Sequence, residues 1–248
     1  MTRIFFALAG LSVLLLCSNI VLGLYIGDYN AEYASYSQVG MQVYEDYGQR
    51  IEDLKRQRPR PVEEIERLQR EKVALEEKSE AEFLPIRNRA FVHMMFGIVA
   101  ALVTLLVNCI CVTYFIGTSR WIREVVETYG FDKSLIGQGN IIKRRTFPWA
   151  LVGMFTVLGI IALGQAANPG IIREGTAAWV TPHMLGAMLG TALITFAYYR
   201  QANSIAENYK LIEQIAAQVD EVRREKGLAE EEEAPPPIKP TFSDTVTG

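Results

Sequence analysis

Two histidines are the only side chains in the apolar segments of this chain that titrate near neutral pH and can also ligate a metal. His93 opens "HMMFGIVAAL" and His183 opens "HMLGAMLG", each followed within about a turn by glycine, Gly97 and Gly186. His93, Gly97, Ala100, Thr104, Asn108 and Cys111 follow one another at threes and fours, as do His183, Gly186, Ala187, Gly190 and Thr191. On a helix each set is one small, polar stripe, of the kind that lets transmembrane backbones approach and hydrogen-bond. Two imidazoles facing each other from such stripes could be the axial ligands of a b-type haem. Gly97 and Gly186 would leave room for the macrocycle, and Arg87 and Arg89, one to two turns outside His93, could receive its propionates. Thr181 and Pro182 suit an N-cap and first helical position, which would set the positive helix end beside His183. Copper at His93 and His183 is a weaker alternative, because Met94, Met95 and Met184 adjoin the histidines but neighbours on a helix point apart. The plain alternative is that both histidines pack helices together.

The elements that carry these stripes follow from charge segregation. The chain has 248 residues, half hydrophobic and 21% charged, yet windows 4–27, 90–119, 146–172 and 175–199 contain no Asp, Glu, Lys or Arg. A bilayer core of roughly 30 Å needs about 20 apolar residues as helix, so each window can span it. The expected fold is all-α: a four-transmembrane-helix bundle with spans 1–27, 90–119, 148–167 and 182–200. The first window follows Arg3 but is too long for a signal-peptide core and lacks a cleavage site, so it is read as retained.

Orientation follows the basic residues near the spans. Segment 118–148 carries Arg120, Arg123, Lys133, Lys143, Arg144 and Arg145, whereas the short loop after the third span carries Arg173 alone. The rule places 120–147 as a cytoplasmic loop, with both termini cytoplasmic and 28–89 and 168–181 on the other side. A bacterial inner membrane is the expected setting.

Segment 28–89 reads as an extracytoplasmic antiparallel helical hairpin. An apolar stripe from Tyr29 through Tyr33, Tyr36, Val43, Tyr47 and Ile51 to Leu54 predicts that the first helix runs on past the membrane. "RPRP" at 58–61 ends it, a second arm comes next with Val62, Ile65 and Leu68 in register, and Pro85 is expected to interrupt that arm before the second span. After Arg200, Ile205, Ile212 and Val219 are seven apart, which predicts a cytoplasmic amphipathic helix over 201–227 with a coiled-coil-like seam. The acidic, proline-rich 228–248 reads as a disordered tail.

No Asp, Glu, Lys or Arg lies within a span, which disfavours ion pumps and voltage sensors. Nucleotide-binding, zinc-protease and serine-hydrolase motifs are absent. Cys17, Cys109 and Cys111 all lie within spans and imply no structural disulfide. The expected function is therefore not enzymatic: a structural or interaction component of a membrane complex that docks protein partners through the hairpin. Its surroundings are the lipid bilayer, protein partners and further copies of the same chain, and not nucleic acid. The alternative is a haem b electron-transfer subunit. With cytoplasmic termini, an alkaline phosphatase fusion near Arg58 should be active and one at Gly248 silent; the reverse pattern would invert the topology.

Overall fold

The computed structural model describes residues 2–170 and 175–227. Arg173 and the tail 228–248 lie outside the described residues. The described chain is all-helical, without strands, and four of its helices are long and apolar enough to cross a membrane. They are α1 (Thr2–Ile26), α4 (Val62–Tyr129), α5 (Ser134–Ala166) and α6 (Val180–Glu225), with the shorter α2 (Tyr29–Gln42) and α3 (Arg50–Arg56) between α1 and α4.

The four long helices form a ring in which α1 packs on α4, α4 on α5, α5 on α6, and α6 back on α1. The backbones of α4 and α6 stand farther apart, diagonally opposite, and meet through their side chains across the centre. The core between them holds Phe5, Ala100, Val107, Phe115, Val157 and Ile194. Large apolar residues such as Leu14, Leu102, Phe155 and Leu189 point outward, which water would penalise and hydrocarbon does not.

Several boundaries differ from the sequence reading. Helix α1 does not run on past residue 27. Gly27 takes φ +88°, which favours glycine, and the Asp28 carboxylate accepts the Ala31 amide at 3.0 Å to cap a new helix. The stripe 43–49 is a π-helix rather than α. Pro85 does not interrupt the second arm, because α4 is continuous for 68 residues through it. A proline inside a helix costs about 3 kcal/mol, here offset by burial of its neighbours Phe83 and Ile86. Segment 120–147, expected as a loop, is helical except at 130–133. Gly130 at φ +70° stops α4, and Asp132 accepts the Ser134 amide at 2.9 Å to start α5. Helix α5 thus begins well before Pro148.

Residues 29–56 lie along the N-terminal half of α4. Next to the Arg58–Pro59 cis peptide, Ile51 and Leu54 bury against Ile65 and Leu68, with Arg50 and Glu64 paired at 3.0 Å. Near the bundle, Tyr36 stacks on Phe83 at 4.7 Å and Tyr29 at 5.9 Å, with Tyr33 edge-on at 6.0 Å. Burial against this cluster, then the neighbouring Tyr33, pushes the Tyr29 hydroxyl above its ordinary pKa. Asn30 ties the base to the α5–α6 connection: its amide donates to the Ala167 carbonyl at 3.3 Å, and its oxygen accepts the Thr176 hydroxyl at 2.7 Å.

Candidate functional site: a histidine pair and a buried polar seam

The two imidazoles project from the diagonal helices α4 and α6 into one shared space. Their ring centroids are 6.3 Å apart and their planes 76° from parallel. His93 Nδ1 lies 3.1 Å from the Asn19 carbonyl of α1. Protonated at Nδ1, His93 donates there and leaves Nε2 with its lone pair. His183 Nδ1 is buried and makes no hydrogen bond among the described residues, although the Ile160 carbonyl of α5 stands beside the ring.

Each ring is seated on a glycine of an adjacent helix. A Cβ on Gly23 of α1 would stand 3.0 Å from His93 Cε1, and one on Gly164 of α5 would stand 3.0 Å from His183 Cε1. Spacing along the chain does not reveal these two glycines as partners, because each sits on a different helix from the ring it carries.

The other expected site residues take different places. Gly97 and Gly186 do not open a slot. A Cβ at Gly97 would meet Asn19 Nδ2 at 3.0 Å and one at Gly186 would meet Leu163 Cδ1 at 2.6 Å, so neighbouring side chains fill both positions. Arg87 reaches Glu80 at 3.6 Å. Arg89 donates to the Tyr25 carbonyl at 3.3 Å and lies 5.4 Å from the centre of the Tyr25 ring. Met94, Met95 and Met184 are exposed on the outer surface, so they do not join the histidines as soft copper ligands. Among the described residues no three His, Cys, Asp or Glu side chains cluster as a metal site. Thr181 is not an N-cap: a 3-10 turn, Thr176–Trp179, feeds α6 two residues earlier, and Pro182 falls in the first turn, where its missing N–H has no partner to lose.

A second polar feature crosses the bundle further along. Ser12 of α1 bonds the Thr104 hydroxyl at 2.8 Å and the Tyr198 hydroxyl at 3.0 Å. Asn108 donates to the Thr104 carbonyl at 2.8 Å and accepts from Gln201 Nε2 at 3.0 Å. Asn208 donates to the Tyr114 and Thr118 hydroxyls, both at 3.1 Å. Asn108 is accommodated by Gly153 of α5, where a Cβ would come within 2.8 Å of its Oδ1. Gln201 and Asn208 fall in the segment expected as a cytoplasmic amphipathic helix. Helix α6 runs without a break into it, and the buried positions 201, 204, 205, 208, 211 and 215 continue the bundle face. Leu211 and Ile215 close it against Ile122, Val126 and Leu135. The expected heptad positions Ile212 and Val219 are only half-buried, and the buried face runs instead through Gln201, Ser204, Asn208, Leu211 and Ile215, at alternating threes and fours in a different register.

Comparison with protein-family models, curated proteins and solved structures found no match to this chain. Geometry alone therefore carries its chemistry. Replacing Asn108 with Leu strips Gln201 Nε2 of its acceptor inside the bundle. The single variant should lose about 1–2 kcal/mol of stability, and Asn108→Leu/Gln201→Leu should recover part of that loss. Thermal unfolding of both in detergent measures the difference, and strictly additive losses would show that the two amides are not coupled.

Proposed function

We propose that this protein is a structural or interaction component of a membrane complex, docking partners through residues 28–89. In this reading the segment is an extracytoplasmic antiparallel helical hairpin, both termini are cytoplasmic, and the membrane is a bacterial inner membrane. The observation that carries it is the way the segment is held. Phe83 gathers three tyrosines, Asn30 anchors the base, and the Ile51–Leu54–Ile65–Leu68 cluster closes the far end. An element fixed at both ends loses little conformational freedom on binding. Its surface carries Met41 and Tyr44, both exposed, and side chains of this kind are enriched at protein interfaces. Deleting 29–84 behind a short Gly/Ser link should leave the four spans inserted while reducing co-purification of native partners at least tenfold. Partner recovery equal to wild type would remove the docking role.

A second reading, a haem b electron-transfer subunit, is favoured by the separation of the histidines. Two metal–nitrogen bonds of roughly 2 Å, with the short distance from each nitrogen to its ring centre, bring axial imidazoles to a centroid spacing of about 6 Å. The rings stand 6.3 Å apart with planes 76° from parallel, and the Asn19 carbonyl suits the tautomer that frees His93 Nε2. The ring of the macrocycle is less well served, since Asn19 and Leu163 occupy the positions at Gly97 and Gly186 and would have to turn away. When bound, a haem would supply one-electron redox chemistry, and the chain would contribute the axial nitrogens and their orientation. His183→Ala should abolish a reduced-minus-oxidised haem b spectrum with insertion intact. A wild-type protein without a Soret band after expression with ample haem leaves packing as the role of the pair.

A further inference from the structure

Helices α4 and α5 pass from apolar to charged at one level. The charge-free run of α4 ends at Ser119, and that of α5 begins at Thr146. At this level the two helices enclose a crevice of about 440 Å³. Ile116, Arg120, Arg123 and Glu124 line it from α4, and Lys143 and Phe147 from α5. Residues 116, 120 and 123 lie four and three apart and so share one face of α4, as 143 and 147 share one face of α5.

Basic residues beside a span need no ligand to explain them, because orientation alone calls for them. Their distribution here goes further. Of the six basic residues in 118–148, three converge on the crevice, whereas Arg145 turns away to pair with Glu207 of α6. Glu124 is the one carboxylate lining the crevice among the described residues, and Arg120 already holds it at 2.7 Å. Arg123 and Lys143 make no ion pair among the described residues. Three cations and one anion leave the crevice a net charge of plus two. Lys143 is also half-buried, and a partly buried cation without a carboxylate partner is stabilised by a bound anion.

The apolar side of the crevice narrows the class of anion. Ile116 is exposed, and the two lining faces continue into the apolar runs as Cys109, seven residues before it, and Leu151, four residues after Phe147, both exposed. A free phosphate makes no use of such a surface, but an acyl chain does. Cations from two helices above an apolar track match a phosphate esterified to a lipid. A zwitterionic headgroup is a poorer match, since its ammonium would face Arg123 and Lys143 with the lining carboxylate already engaged.

We propose that the crevice between α4 and α5 binds the phosphate of an anionic glycerophospholipid, held by Arg123 and Lys143, with an acyl chain along Ile116 and Leu151. The inference rests on the four helices crossing a bilayer and is independent of partner docking and of haem.

Native mass spectrometry of the full chain in a non-ionic detergent, titrated with phosphatidylglycerol, tests it. One lipid per chain should bind saturably. Arg123→Gln and Lys143→Gln should each weaken binding about fivefold and the double variant about twenty-five-fold, while Lys143→Arg keeps the charge and stays within about twofold of wild type. Arg223→Gln/Arg224→Gln removes two cations at the far end of α6 and should leave binding unchanged. Equal losses in the crevice and α6 variants would overturn the proposal in favour of diffuse surface charge. Phosphatidylcholine binding as tightly as phosphatidylglycerol would reduce the crevice to an apolar track, and inorganic phosphate binding in preference to the lipid would make it a site for the free ion. Carbonate extraction of membranes separates this from the wider reading: a chain that stays in the membrane but binds no phosphatidylglycerol sinks the lipid site alone, whereas a chain that washes out sinks the four spans with it.

Discussion

The bundle rests on one repeated contact, a polar side chain of one helix lying on a glycine of the next. His93 lies on Gly23, Asn19 on Gly97, Asn108 on Gly153 and His183 on Gly164. These contacts join α4 to α1, α1 to α4, α4 to α5 and α6 to α5. Apolar helices gain little from each other in lipid, because the hydrocarbon is as apolar as they are. Close approach and hydrogen bonding must supply the specificity. A glycine removes the side chain that would hold the backbones apart, and at His93 and Asn108 the polar group that fills the space also hydrogen-bonds, to the Asn19 carbonyl and the Gln201 amide. A larger residue at any of the four glycines would displace a buried polar group as well as widen the gap, which is why this contact governs both packing and the position of the histidines.

The same contact explains what the sequence can and cannot reveal. The four spans are set by runs free of charge, and a 30 Å hydrocarbon layer leaves few other solutions for them. The stripes through His93 and His183 are local, fixed by 3.6 residues per turn, and so they predict one shared space for the two rings. The partners across that space are not local. Gly23 and Gly164 lie 70 and 19 residues from the histidines they seat, and nothing in spacing along α4 or α6 points to them. Gly97 and Gly186 suggest room for a macrocycle because a small residue beside a histidine has the same appearance whether its space is filled by a ligand or by Asn19 or Leu163.

Proline and glycine are the least reliable punctuation in this chain, for a physical reason. A breaker ends a helix only where its local penalty exceeds what the continuing helix gains. At 58–61 two prolines lie among exposed residues, and the helix stops. At Pro85 and Pro148 the neighbouring turns are packed, and it continues. Gly27, with no proline near it, breaks the chain because it turns to positive φ and Asp28 is ready to cap α2. The polar face after Arg200 misleads in a related way. Gln201, Ser204 and Asn208 are buried because α6 keeps packing on the other helices beyond its apolar run, so polarity there marks an interior seam and not a solvated surface.

Continuity of α4 has a mechanical consequence. A single helix of 68 residues has a contour of about 100 Å. It carries in turn the arm facing α2, the imidazole of His93, the amide of Asn108, and Ile122 and Val126 beside α6. No glycine interrupts the stretch from Val62 to His93, and the first break after the bundle is Gly130. The arm therefore runs into the histidine-bearing turn with no loop between them. Asn19 sits at that turn: its carbonyl meets His93 and its side chain fills the space at Gly97. Any sliding of α4 along α1 must separate both contacts together. One helix thus joins the four-helix core to the segment packed on α2, and His93 lies where the two meet.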